Sequence, residues 1–203
     1  MENEIERRNI EVTELRVISD ENKKTKIRGH AAVFNKLSED LGGFREKIDP
    51  GTFKGTIKKD DIRALFNHDP NYVLGRNKAG TLKLSEDELG LAIEIDPPDT
   101  QWARDLMESM NRGVINQMSF GFVTVKDAWN NQENSSKSKE VVRTLQEVRL
   151  RDISPVTYPA YQQTSVACRD YLSALKETEE QLGETGVVKQ PSPSLASLRW
   201  KLK

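Results

Sequence analysis

The spacing of the apolar stretches constrains the fold most. Ile27–Phe34, Ile62–Asn67, Thr81–Leu84, Leu89–Ile95, Met118–Val125 and Leu145–Thr157 are short and rich in Val, Ile, Leu, Phe and Thr. Turn residues bound each of them, which is the signature of strands. A parallel sheet would need a crossover helix after every strand, and most of the gaps are too short to hold one. The stretches therefore predict antiparallel strands arranged as a barrel or sandwich. In the segment from Leu91 to Ile95, Leu91, Ile93 and Ile95 share one face while Ala92 and Glu94 take the other.

Helices are few. After Pro97 and Pro98, Asp99 or Thr100 can cap a helix in which Trp102, Leu106 and Met110 recur every four residues, with Gly113 as its stop. Asp49 and Pro50 offer a cap and a first-turn proline for a short helix through Ile57. A third helix is expected over Thr164–Glu180, where Val166, Tyr171, Leu172 and Leu175 make a partial stripe. The expected class is mainly β with a few peripheral helices. The domain runs from about Asn9 to Lys176, after a flexible start at Met1–Arg8. Residues 177–203 read as a linker and disordered tail, because turn residues and charge replace apolar periodicity there.

Charge and cysteine content exclude several classes. Lys and Arg number 31 against 32 Asp and Glu, so the net charge of -1 supplies no single-sign field for nucleic acid or an anionic membrane. No basic stripe interleaved with aromatic residues is present either. No apolar run reaches the roughly 18 residues of a membrane span. The start, MENEIERRNIEVTE, lacks the apolar core of a secretory signal. A single cysteine, Cys168, excludes an internal disulfide framework and a cysteine-ligated zinc site. Asp60, Asp61, Asp69 and Asp96 lack calcium-loop spacing and read as solvated turns. A soluble intracellular protein without metal or cofactor is expected.

Only two histidines are available as a general base. His68 ends an apolar stretch just before the turn-forming Asp69 and Pro70, a place where catalytic side chains are commonly presented. The competing reading is a turn histidine bonded to local backbone. His30, among small apolar residues of a strand, reads as a partly buried structural residue. Ser119 sits between Met118 and Phe120 and is followed by Gly121, an odd place for a hydroxyl chosen for packing alone. It is either a nucleophile served by a nearby imidazole or a strand serine bonded to backbone. The local pattern is not the G-x-S-x-G elbow, since Gln117 replaces the first glycine.

Alternation places Val148, Leu150, Asp152 and Ser154 on one face of their strand, so Asp152 is the acid pointing inward. Such a carboxylate requires a partner such as an imidazole N–H. Glu147, on the outward face, is the second choice, because a strand bulge would swap the faces. Cys168 could be an alternative nucleophile but reads as a small buried hydrophobe on a helix.

Four blocks occur in order between about Lys26 and Thr164: IRGHAAVFNKLSEDLGGFREKIDPGTF, ALFNHDPNYVLGRNKAGTLKLSEDELGLAIEIDPP, MNRGVINQMSFGF and DISPVTYPAY. Together they resemble the prohead protease family of tailed bacteriophages. The resemblance implies a serine endopeptidase similar in fold to the herpesvirus capsid-maturation protease, a closed, mostly antiparallel β-barrel surrounded by helices. It implies cleavage of a scaffold polypeptide, or of the scaffold-like segment of the major capsid protein, inside the assembling prohead in the bacterial host cytoplasm. Self-cleavage and self-association are implied as well. The family's histidine falls on His68 and its serine on Ser119. Where the herpesvirus relatives place a second histidine third, the matching strand here carries Asp152. The oxyanion donors are expected from Thr157 or from Ala160–Gln162, because Pro155 and Pro159 have no N–H. The alternative function is a non-catalytic capsid assembly or scaffolding protein on the same framework. The tail from about Glu184 is either a disordered end or a docking peptide for scaffold or capsid protein.

Overall fold

The computed structural model describes residues 5–11, 15–19, 25–133 and 139–158. Its elements are, in chain order, β1 (Glu6–Glu11), β2 (Arg16–Ser19), β3 (Thr25–Val33), β4 (Arg45–Ile48), α1 (Lys54–Lys59), β5 (Arg63–Phe66) and β6 (Asp69–Arg76). After a single 3-10 turn at Asn77–Ala79 come β7 (Leu82–Glu86), β8 (Gly90–Ile95), α2 (Gln101–Asn111), β9 (Gln117–Glu133) and β10 (Lys139–Val156). The chain is mainly β with two helices among the described residues, as its apolar pattern predicts.

The strands form two sheets. One has the order β1-β9-β10-β5-β6, with β4 also paired to β10, and the other has the order β2-β3-β8-β7. Neither is closed into a barrel among the described residues. Pairing is antiparallel except where β10 receives β4 and β5 in parallel. Those two parallel pairs are possible because the chain from β5 to β10 includes helix α2, a connection long enough to cross over.

Both sheets contribute to one apolar core. Met118, Phe120 and Phe122 of β9 and Val148, Leu150 and Ile153 of β10 meet Leu91, Ile93 and Ile95 of β8 and Leu106 and Met110 of α2 there. Phe53 lies edge-on to Phe120 at 5.9 Å and stacks on Phe34 at 6.3 Å. Burying side chains of this size contributes about 1.5–3 kcal/mol each.

Helix α2 lies where its apolar spacing and Gly113 place it. Thr100 takes the N-cap position but without the expected side-chain capping bond, since the Asp99 carboxylate pairs with Arg104. Thr100 is extended just before the helix, and Gly113 adopts φ +72°, with its N–H on the carbonyl of Met110 at 2.9 Å. Trp102 meets Tyr72 at 5.3 Å and docks the helix against β6. Helix α1 begins at Lys54 rather than at Pro50. Gly51 at φ +98° breaks the chain there, and Thr52 Oγ1 donates to the carbonyls of Asp49 and Leu145, so that Asp49–Thr52 is a turn. Strands β9 and β10 extend far beyond their apolar stretches, as a hairpin of 17 and 18 residues. Strand β1 starts at Glu6, inside the stretch read as a flexible start. The helix expected at Thr164–Glu180, Cys168 and the tail lie outside the described residues.

Candidate active site

Strands β5 and β6 are joined by a two-residue loop, with Phe66 opposite Asp69. Both loop residues have positive φ, +53° at Asn67 and +58° at His68. A two-residue hairpin of type I′ needs this at both positions, which suits asparagine and strains histidine. The strain is sustained by hydrogen bonds to the end of β10. The Asn67 side-chain carbonyl accepts the Thr157 N–H at 2.8 Å, and its amide donates to Thr157 Oγ1 at 3.1 Å. The Asn67 N–H reaches the Pro155 carbonyl at 3.0 Å, and the His68 N–H reaches Ser154 Oγ at 3.2 Å.

The β9–β10 register decides what faces the histidine. Ser119 lies opposite Ser154, Phe120 opposite Ile153, Gly121 opposite Asp152 and Phe122 opposite Leu150. Arg151 has no partner in this series, so it forms a β-bulge. Directly paired residues project to the same side of a sheet. Phe120, Phe122, Leu150 and Ile153 accordingly fill the core, while Ser119, Gly121, Asp152 and Ser154 project to the opposite side. The expectation that Asp152 shares a face with Val148 and Leu150 is thus overturned by the bulge, which turns this carboxylate toward Ser119. Glu147 is exposed and lies over Gly55 of α1.

Three groups converge. His68 Nε2 is 2.7 Å from Ser119 Oγ, and His68 Nδ1 is 2.5 Å from Asp152 Oδ2. Ser119 is fully buried, while the side chains of His68 and Asp152 keep 9% and 12% exposure, which leaves solvent access on their side. With Nδ1–H donating to the carboxylate, the Nε2 lone pair accepts the serine hydroxyl. An imidazole so placed can take the hydroxyl proton during attack on a carbonyl. Gly121 makes room for the acid, since a Cβ there would sit 2.5 Å from Asp152 Oδ1.

The other sequence candidates lie elsewhere. His30 Nε2 pairs with Asp87 Oδ2 at 2.8 Å on the second sheet. Burial pushes the Asp87 carboxyl up, but the His30 bond and the Gly90 and Leu89 N–H groups outweigh it and hold it below the ordinary range. Asp61 binds Arg76 and Arg63, and Asp69 accepts the Asn71 N–H. Thr157 N–H is already used by Asn67, so it is not free for an oxyanion as expected; Ala160–Gln162 lie outside the described residues. Sequence reasoning missed Asn67, Gly121 and the part Ser154 plays in this network. The one available signal was a two-residue gap beginning with asparagine between two strands.

Residues 13–180 match the family described as caudovirus prohead serine protease. The chain is also 28% identical over 190 residues to the prohead protease of Enterobacteria phage HK97, an alignment covering 90% of this chain and 78% of that protein. No solved structure matches.

Proposed function

The chain belongs to the caudovirus prohead serine protease family and is a serine peptidase, and from that premise we propose that Ser119, His68 and Asp152 are its catalytic triad. His68 Nε2 takes the Ser119 proton as Oγ attacks the scissile carbonyl. Asp152 holds the Nδ1–H and stabilises the imidazolium. His68 then protonates the leaving amine, and water, with His68 again as base, hydrolyses the acyl-enzyme. The observation that carries this reading is the imidazole bridging alcohol and carboxylate at 2.7 and 2.5 Å.

The proposed substrates are the major capsid protein's scaffold-like segment or a separate scaffold polypeptide, and the enzyme's own chain. The proposed place is the assembling prohead in the host cytoplasm. Two observations accord with that: the family and the HK97 relative are both named for the prohead, and no helix among the described residues is long and apolar enough to cross a membrane. The two sheets around a shared core are read as the parts of the barrel expected of such a protease.

Co-expression with a major capsid protein of the same phage tests the reading by mass measurement. The wild type should shorten the capsid protein, and Ser119→Ala should leave it whole. Trimming by the alanine variant would end the serine assignment. Asp152→Asn should slow cleavage by about 10⁴-fold, as in other triads, with Glu147→Gln near wild type. The reverse ranking would transfer the acid's role to Glu147.

A further inference from the structure

Building on the triad proposed above, we infer that Ser154 is a fourth, positioning residue, whose hydroxyl fixes both the carboxylate and the main chain of the base. Ser154 is fully buried and faces the same side as Ser119, its partner across the β9–β10 ladder. Its Oγ lies 3.0 Å from Asp152 Oδ2, 3.2 Å from the His68 backbone N and 3.4 Å from His68 Nδ1.

Proton accounting settles the direction of each bond. The hydroxyl has one proton and two lone pairs. The His68 main-chain N–H can only donate, so Oγ accepts it. Nδ1 gives its own proton to Asp152, so it has no lone pair for Ser154. The serine proton therefore goes to Asp152 Oδ2, the same oxygen that accepts Nδ1–H.

Two consequences follow for the chemistry. Oδ2 receives two donors from different directions, which fixes the carboxylate's rotation, while Gly121 leaves Oδ1 its space. The same oxygen atom of Ser154 anchors a histidine held at φ +58°, where a side chain pays for the backbone conformation unless its surroundings enforce it. Ser154 touches no reacting atom. It acts through Asp152 and His68.

The test needs no knowledge of the natural substrate. A fluorophosphonate reports the triad directly: the Ser119 Oγ–P bond forms, the P–F bond breaks, fluoride leaves and the serine proton passes to His68. Its labelling rate would be followed against pH on the full-length chain, with Ser119→Ala as control. Ser154→Ala should label about ten- to hundredfold more slowly, the scale of a small misplacement of catalytic groups. The acid side of its profile should also move to higher pH. A carboxylate with one donor fewer binds the imidazolium more strongly and keeps the base protonated further up the scale. A structural loss would lower the amount of reactive enzyme without moving the profile.

Labelling at the wild-type rate, or slower labelling with an unmoved profile, would overturn the inference. Should Ser154→Ala lose its near-UV circular dichroism, Ser154→Cys carries the same test, since a thiol fills the site but donates weakly. A profile matching wild type would again overturn it. Failure of the triad itself looks different: Ser119→Ala would then still be labelled.

Discussion

Gly121 shows how narrowly the site is drawn at the level of single residues. It lies two pairs along the ladder from Ser119, on the same face, and any side chain there would drive a Cβ to 2.5 Å from Asp152 Oδ1. The carboxylate is the mobile party, so Gly121→Ala should swing it off the imidazole while the strand pairing survives. Peptidase activity should fall about a hundredfold or more, with an unchanged circular dichroism spectrum. Activity near wild type would show that the acid does not depend on that space. From the sequence alone, His68 and Ser119 stood out because histidines are scarce here and a serine fits poorly in an apolar strand. Asp152 was identified as the buried acid through an alternation that the Arg151 bulge breaks. The bulge was invisible because it depends on which residue of β9 each residue of β10 faces. The role of Gly121 depends on its cross-strand neighbour Asp152, which the sequence does not show.

At the level of elements, the β5–β6 hairpin carries His68, the proposed base, and its geometry rests on Asn67. Asn67→Ala removes the two side-chain bonds to Thr157 and places alanine at φ +53°, where asparagine is better tolerated. A destabilisation of about 1–2 kcal/mol is expected in urea unfolding, together with slower cleavage. Asn67→Gly separates the two effects. It accepts the backbone conformation but lacks the amide, so it should recover part of the stability and little of the activity. Equal behaviour of the two variants would mean that the backbone conformation is not a source of strain. Elements built from apolar alternation, such as β3, β5, β7, β8 and α2, were legible in the sequence because burial of one face sets their pattern. Strands β1 and β4, with sequences ERRNIE and REKI, were not, because charged residues on them are buried by pairing with partners distant in sequence.

Those distant partners form a charged core that spans the larger sheet. Arg8 and Glu6 of β1, Glu46 of β4, Thr124 and Asp127 of β9 and Arg143 of β10 share one hydrogen-bonded network. Arg8 bonds Glu46 at 2.8 Å and Glu6 at 2.7 Å, while Arg143 reaches Glu6 at 2.7 Å and Asp127 at 2.6 Å. Arg143 is only 1% exposed, so removing it strands carboxylates in the interior. Arg143→Met should therefore cost about 3–5 kcal/mol, the scale for breaking a buried ion pair. Burial pushes the Glu6 carboxyl up, but the hydrogen bond from Arg143 and the charges of Arg8 and Arg143 prevail and hold it below its ordinary value of 4.5. A carboxyl lowered on folding contributes stability that is present above its unfolded value and lost as pH falls through its folded value. Urea midpoints measured downward from pH 6 should then decline below about pH 4.5. Glu94 adds to the same decline, because hydrogen bonding from Lys83, then from Lys26 and Arg28, lowers it to about 2. In Arg143→Met, Glu6 loses its strongest favourable partner and moves back toward the unfolded value, so that variant, weaker at pH 6, should lose less on acidification. A steeper acid decline in the variant than in the wild type would show that the network does not couple β1 and β4 to the β9–β10 hairpin through charge.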